Sequence, residues 1–453
     1  MSKSVSVLKV AAFVFPLVCV SAASRAEVPH TFAAGEPAVA DHINDNFSDL
    51  DDRIIDLGER VADQSNGINQ TVEVDCGEHP DAFQEGTDNP GGQVAINSHT
   101  TYILTGLCDG PIWIVERNSV RFEGDDSGEK DDGVILQAGL SEHPYAAIGA
   151  WESNNVSLEN LTVSAANYVS KSYSFGENVT ALSAGDGSHV EVVDVSFLGG
   201  DLGVSVYRNA VLRLREGVTV TGFNYIGLEA WMGGSITTNG NITVTGIDGT
   251  STEDFVYAIN SSSNGTVYIR AGGNFTAGSN ANTQDLSTDD IYPAALWASD
   301  NSTVLVRGGS NAVVFDGAVE VGYSAMVRMA GDITINGLIG VYHGGVMHLT
   351  NVVQDTDNIW VGDKGHLRVE SGNLSPLSYY GSPIDVYRQG SIRMNNTVVN
   401  LVNDDVFSVG GLSYINLRGA TNLNGADISC WGGSNHISIR DTVIGVGELN
   451  NCF

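Results

Sequence analysis

The chain has 453 residues and is strongly acidic: 54 Asp and Glu against 21 Lys and Arg give a formal charge of −33. A field of that sign repels a phosphate backbone, which argues against nucleic acid as a partner and fits a solvated surface suited to salty surroundings. With 42% hydrophobic residues, 54 Gly and only 10 Pro, the composition describes a large folded body with many turns between short strands.

Residues 1–26 read as a secretion signal, with Lys3 and Lys9 around the start of an apolar run from Val10 to Cys19 and small residues at Ser24 and Ala26. The mature chain is therefore expected to begin near Glu27, exported through the Sec pathway and either secreted or held at the cell surface. A lipoprotein signal needs a small residue before its cysteine, and Val18 precedes Cys19, so no lipid anchor is expected. No other stretch approaches the 18 apolar residues of a membrane span.

Within the segment 27–73, Ile43, Phe47, Leu50, Ile54, Leu57 and Val61 recur at alternating steps of four and three, with Ile68 a heptad further on. Asp45, Asp49, Asp52, Asp56 and Asp63 take outer positions, and Gly67 closes the run. That spacing predicts an α-helix over 38–70 with a narrow apolar stripe. The helix either lies on the body that follows or forms a short parallel coiled coil, a homotrimer.

From residue 74 the chain is a repeat array. IGVYHGGVMHLTNVV (339–353), IWVGDKGHLRVESGN (359–373), IDVYRQGSIRMNNTV (384–398) and ISCWGGSNHISIRDT (428–442) each carry an apolar-x-apolar triplet, a polar or Gly turn, and a second triplet. The second triplets begin at Val304, Val327, Met347, Leu367, Ile392, Ile415 and Ile437, with looser copies around Val156, Val190, Leu212, Ile236 and Val267. A period of 20 to 25 residues is one coil of a solenoid with three short strands per turn, and too short for a propeller blade. Asn155, Asn160, Asn241, Asn301 and Asn395 fall in its turns, where left-handed conformations suit asparagine.

Four cysteines remain after signal removal, Cys76, Cys108, Cys430 and Cys452, an even number that implies two disulfides in an exported protein. Three connectivities are open. Cys76 with Cys108 and Cys430 with Cys452 lie at opposite ends of the body. Cys430 and Cys452 are 22 residues apart, one coil, so equivalent places on adjacent coils would bring them within bonding reach and staple that end. No zinc-type spacing occurs, and no metal or cofactor is expected.

VDCGEHPDAFQEG, TTYILTGLCDGPIWIVERNSVRFEGDD and GVILQAG resemble the opening of secreted bacterial β-helix proteins of the pectate-lyase-like superfamily, Cys76 and Gly106-Leu107-Cys108 matching its pattern. TFAAGEPAVADHINDNF resembles a segment found before varied domains in secreted and tail-fibre-like proteins. With the repeat, the resemblance implies an all-β fold: a right-handed parallel β-helix of about twelve coils over 74–453, preceded by a short N-terminal α-helix. Lyases, hydrolases, epimerases, adhesins and tailspikes share that fold, so function must come from a site.

Three sets of residues offer chemistry. Trp151, Tyr207, Trp231, Trp297, Tyr323, Tyr342, Tyr387 and Trp431 fall a few residues before successive second triplets, either an exposed column for stacking on sugar rings or aromatic packing within the solenoid. Arg213, Arg328, Arg368 and Arg393 hold the outward middle position of their triplets, and Arg270, Arg307, Arg418 and Arg440 follow one. They form a basic stripe for carboxylates or sulfates, or cover the strands and pair with local acids. Tyr342, His343, Asp363, Lys364 and Arg388 are expected to stack in successive coils. A uronate lyase needs a cation for the carboxylate, a base for the C5 proton and an acid for the leaving oxygen, which Arg388 or Lys364 and His343 or Tyr342 would supply.

Other signatures are weaker. Asp404-Asp405 and GGSNHISIR only faintly echo polygalacturonases, and no R-I-K segment accompanies them. GDDSGEKDDG (124–133) lacks EF-hand spacing and reads as a solvated loop, Ca²⁺ being the alternative. The expected function is binding of an extracellular, anionic polysaccharide. Its rivals are a polysaccharide lyase or glycoside hydrolase, and a trimeric tailspike-like adhesin or structural surface protein.

Overall fold

The computed structural model describes residues 70–84, 94–125, 131–136, 146–167, 178–246, 255–270, 272–278, 292–355, 357–377, 382–401, 406–432, 435–441 and 443–452. The signal at 1–26, the heptads up to residue 69, and Asp404 with Asp405 lie outside them. The described residues form 37 strands in one hydrogen-bonded set and no helix. Gln70–Asp75 is already a strand, paired in parallel with Thr100–Thr105, so residues 70–73 belong with the β body.

Pairing is parallel and skips along the sequence, each strand meeting those one repeat away, in a solenoid-like array compatible with a β-helix. Three faces alternate along the chain. Face one runs through Thr266–Arg270, Thr303–Arg307, the first halves of Met326–Asn336 and Val346–Asp355, which then bend onto face two, and His366–Glu370, Ser391–Asn395, Tyr414–Arg418 and His436–Ile439. Face two includes Val218–Phe223, Ile242–Gly246, Phe275–Gly278 and Val313–Asp316. Face three includes Leu202–Tyr207, Ile226–Trp231, Ala318–Val321, Ile339–Val341, Ile359–Val361, Ile384–Val386 and the second half of Asn422–Trp431.

The expected triplets share one register on face one: Val156, Val190, Leu212, Ile236, Val267, Val304, Val327, Met347, Leu367, Ile392, Ile415 and Ile437 are successive partners. Apart from the half-buried Ile437 they are buried, so each strand of a few residues is stable only because its neighbours bury the same side in a continuous apolar column. Burying one such side chain contributes roughly 1.5–3 kcal/mol. Aromatic residues inside the column are chiefly phenylalanines, such as Phe197, Phe223, Phe275, Phe315 and Phe407. Phe83 packs edge-on against the stacked Tyr102 and Phe122 near the N-terminal end.

The corners explain the asparagines. Asn155, Asn160 and Asn301 are left-handed, with φ of 57°, 50° and 60°. Asn241 and Asn395 are not, and beside the latter Asn396 takes the left-handed place at 52°. The disulfides pair Cys76 with Cys108 and Cys430 with Cys452, one at each end of the described array. Among the described residues no helix is long and apolar enough to cross a membrane.

Candidate functional site

The corner from face three to face one is a column of tight turns. In residues 207–210, 231–234, 342–345, 362–365 and 387–390 the last N–H donates to the carbonyl of the first: Ala210 to Tyr207, Gly234 to Trp231, Gly345 to Tyr342, Gly365 to Gly362 and Gly390 to Tyr387, at 2.8–3.1 Å. Both central residues are left-handed, for instance His343 and Gly344 (49° and 77°), Asp363 and Lys364 (46° and 68°), and Arg388 and Gln389 (46° and 68°). These are type I′ turns, whose twist suits short connections and in which Gly or Asn costs least. Non-glycine residues there carry about 1–2 kcal/mol of strain each. The turns hydrogen-bond to one another as strands do: Ser324 N–H to His343 O, Gly344 to Asp363, Lys364 to Arg388 and Gln389 to Gly411, at 2.9–3.2 Å.

This ladder brings His343, Asp363, Lys364 and Arg388 together. With Ser324, Gly344, Gln389 and Gly411 they line one open groove of about 740 Å³. Arg388 reaches Asp363 at 3.6 Å and lies over the ring of Tyr387. His343 stacks on the exposed ring of Tyr323, centroids 4.8 Å apart. Tyr342 does not line the groove. Its hydroxyl donates to the Glu320 carboxylate, and burial together with that neighbouring charge drives its pKa far above the usual phenol range.

The aromatic residues resolve into separate rows because they differ in phase against the turns. Tyr207, Trp231, Tyr342 and Tyr387 open their turns, and Trp151 and Trp431 register with Gly185 and Gly410 in the same row. Trp297 lies on the strand itself, in register with Asn260 and Glu320, and Tyr323 occupies the turn. None is in the interior: Trp431 and Tyr323 are exposed, the others half-buried. The rings lie across glycines of neighbouring strands: a Cβ at Gly185 would fall 2.6 Å from the Tyr207 ring, and Gly362 and Gly410 underlie Tyr387 and Trp431 in the same way. Aromatic edges are tied by Trp151 Nε1 donating to Tyr207 OH (2.6 Å) and Trp431 Nε1 to Ser408 Oγ (2.8 Å).

A polar row on face three was not anticipated. Ser205, Glu229, Asn260, Trp297, Glu320, Gly340, Trp360, Asp385 and Ser408 are successive partners. The Glu229 carboxyl is buried, accepts from Ser205 Oγ at 2.7 Å and is pushed up by desolvation, against the hydrogen bonds of Ser205 and Asn260. Burial raises Glu320 and Asp385 too. The signal was available, since each acid sits two residues before a turn opens. Glu229, Glu320 and Asp385 are three strand spacings apart, about 14 Å, whereas paired glycosidase carboxylates stand about 5–9.5 Å apart. This row therefore does not supply a hydrolytic pair.

On face one, Arg213 lies further back in one outward row that continues through Thr237, Tyr268, Leu305, Arg328, His348, Arg368 and Arg393. Arg328, His348, Arg368 and Arg393 are consecutive, about 4.8 Å from strand to strand. His348 holds the middle of the triplet Met347–Leu349, the same position as the arginines, so the triplet spacing marks it as a member of the row although it is not an arginine. Arg368 Nε donates to Glu370 at 3.0 Å. Among the described residues Arg328 and Arg393 have no carboxylate within ion-pair distance, whereas Arg121 is held by Glu123 and Glu159. Arg270 and Arg307 stack on Tyr268. No group of three or more metal-ligating side chains occurs among the described residues.

The chain matches no family model, no curated protein and no solved structure.

Proposed function

We propose that the chain is an exported right-handed parallel β-helix protein that binds an anionic extracellular polysaccharide along the Arg328–His348–Arg368–Arg393 stripe and the groove beside it. One observation carries this reading: consecutive strands of a chain with net charge −33 turn cationic and imidazole side chains outward in one register. Guanidinium groups bind carboxylates and sulfates through paired hydrogen bonds, and a row of them suits a polymer carrying a charge on every unit or two. Lys364 and Arg388 extend the positive surface across the turn, and the exposed rings of Tyr323 and Trp431 offer faces for sugar stacking.

The test is a panel of polysaccharides offered to the full chain. Polygalacturonate or dextran sulfate is expected to bind and neutral dextran not to. R328Q/R368Q/R393Q is expected to lose at least tenfold in affinity, and R121Q, whose guanidinium is already occupied by Glu123 and Glu159, to lose little. Equal binding of neutral and anionic chains, or an unaffected triple variant, would overturn the reading.

The convergence of His343, Asp363, Lys364 and Arg388 on one groove favours a second reading, elimination on a bound uronate. Arg388 or Lys364 would neutralise the carboxylate and His343 would move the proton, with Tyr342 withheld by Glu320. New ultraviolet absorbance from an unsaturated uronate, lost in H343A and R388A, supports this reading. No absorbance from any polyuronate removes it.

A further inference from the structure

His348 stands between two guanidinium groups. Arg328 lies one strand before it and Arg368 one strand after, in the same outward position. Val346 and Thr350 flank it on its own strand, and among the described residues Glu370, which holds Arg368, is the carboxylate that acts on it. Burial, then Arg368, then Arg328 hold the imidazole below its ordinary value of 6.5, with Glu370 opposing. With no anion on the stripe, its central ring is therefore harder to protonate than an ordinary histidine.

Resting on the polysaccharide-binding reading above, we propose that His348 is the proton acceptor of the stripe: an oxyanion bridging Arg328 and Arg368 seats over the imidazole and is bound together with one proton. The physical reason is reciprocal. The repulsion that opposes protonation of the ring comes from the same two guanidiniums that the oxyanion would neutralise, and the oxyanion adds an attraction of its own for the imidazolium. Whatever makes protonation easier in the complex makes the complex tighter when the ring is protonated. The sign follows. The free ring titrates below the ordinary histidine value and the bound ring above the free one. Affinity rises as pH falls through the window between the two, by at most about tenfold per pH unit for one proton, and levels off below the free value. His348 would make the stripe tighten in mildly acidic surroundings, where no arginine changes charge.

The full chain is titrated by calorimetry with dextran sulfate and, separately, with polygalacturonate, in buffers of different protonation enthalpy from about pH 5 to 8. Dextran sulfate does not titrate in that range, so proton uptake with it belongs to the protein. Uptake approaching one proton per bound site is expected, lost in H348Q and retained in R121Q. In the wild-type chain the His348 ring resonances should titrate at higher pH with dextran sulfate than without. Binding with no proton uptake from either probe, or a His348 titration unmoved by the bound probe, overturns the proposal while leaving the polysaccharide reading intact. Failure of both probes to bind overturns the parent reading and the proposal with it. Uptake with the sulfate polymer alone, or with the uronate alone, supports the proposal and names the oxyanion.

Discussion

Gly345→Ala tests how tightly the turn column is stacked. Gly345 closes the turn that displays His343, and its backbone lies outside the left-handed region, so alanine meets no torsional objection there. A Cβ would sit 2.5 Å from the Val321 carbonyl oxygen, 2.8 Å from its carbon and 3.0 Å from Gly322 N, all backbone atoms of the preceding repeat. An ordinary contact begins near 3.4 Å, so the strands must part by about 0.9 Å. The bond Val346 N–H to Ala325 O, 2.9 Å, lies across that gap, and His366 N–H to Gly345 O, also 2.9 Å, ties the shifted turn to the following repeat. Overpacking of this kind costs about 1–3 kcal/mol, and a weakened ladder bond adds about 1 kcal/mol, for a loss of about 2–4 kcal/mol. Gly187→Ala is the control: its φ is +76° but a Cβ there meets nothing within 4 Å, so only the left-handed penalty of about 1 kcal/mol applies. Urea unfolding followed by circular dichroism, with hydrogen exchange at the amides of Val346 and His366, measures both. If Gly345→Ala is no more damaging than Gly187→Ala, the stacking described for this column is wrong.

Replacing Cys430 and Cys452 by serine opens a 22-residue loop and is expected to cost about 3 kcal/mol, with hydrogen exchange rising first in Asn422–Trp431 and Ile444–Asn450; uniform loss along the chain would argue against a local staple. Glu229→Gln should help the protein as pH rises. The folded carboxyl titrates above its unfolded value of 4.5, so the wild type loses stability as pH climbs from the unfolded value to the folded one, and the variant does not. The difference in urea midpoint between the two chains is then expected to vanish near pH 4 and favour the variant near pH 7, and the opposite trend would contradict a desolvated Glu229. Trp431→Ala removes an exposed ring and one hydrogen bond to Ser408, and is expected to weaken polysaccharide binding several-fold while costing about 1 kcal/mol or less of stability.

The face-one triplets were legible because burial on one side of a short strand leaves a period-2 mark, and the repeat length puts that mark at the same phase in every coil. Val304, Val327 and Met347 needed nothing more than spacing to be aligned. The aromatic residues were harder. Trp297, Tyr342 and Tyr323 sit within a few residues of equivalent places, but a shift of two residues takes a side chain from the strand position of Trp297 to the turn's opening, and of three into the turn itself. Only the left-handed pairs at the corner fix that phase. The same pairs explain why His343, Asp363, Lys364 and Arg388 could be grouped from sequence while Tyr342, one residue earlier, faces Glu320 instead of the groove. Glu229, Glu320 and Asp385 escaped notice because an acid on a strand usually signals solvent. Here packing on face three withdraws their carboxyls from water.

The central claim is that a stripe of positive charge on an acidic body holds an anionic polymer. Titrating the full chain with dextran sulfate at low salt and again at about 0.5 M, where exposed charges more than a few ångströms apart are largely screened, tests it directly. The wild type should lose most of its affinity on adding salt, and R328Q/R368Q/R393Q should begin weak and change little. Affinity that is indifferent to salt, or equal in the two chains at low salt, would contradict the account.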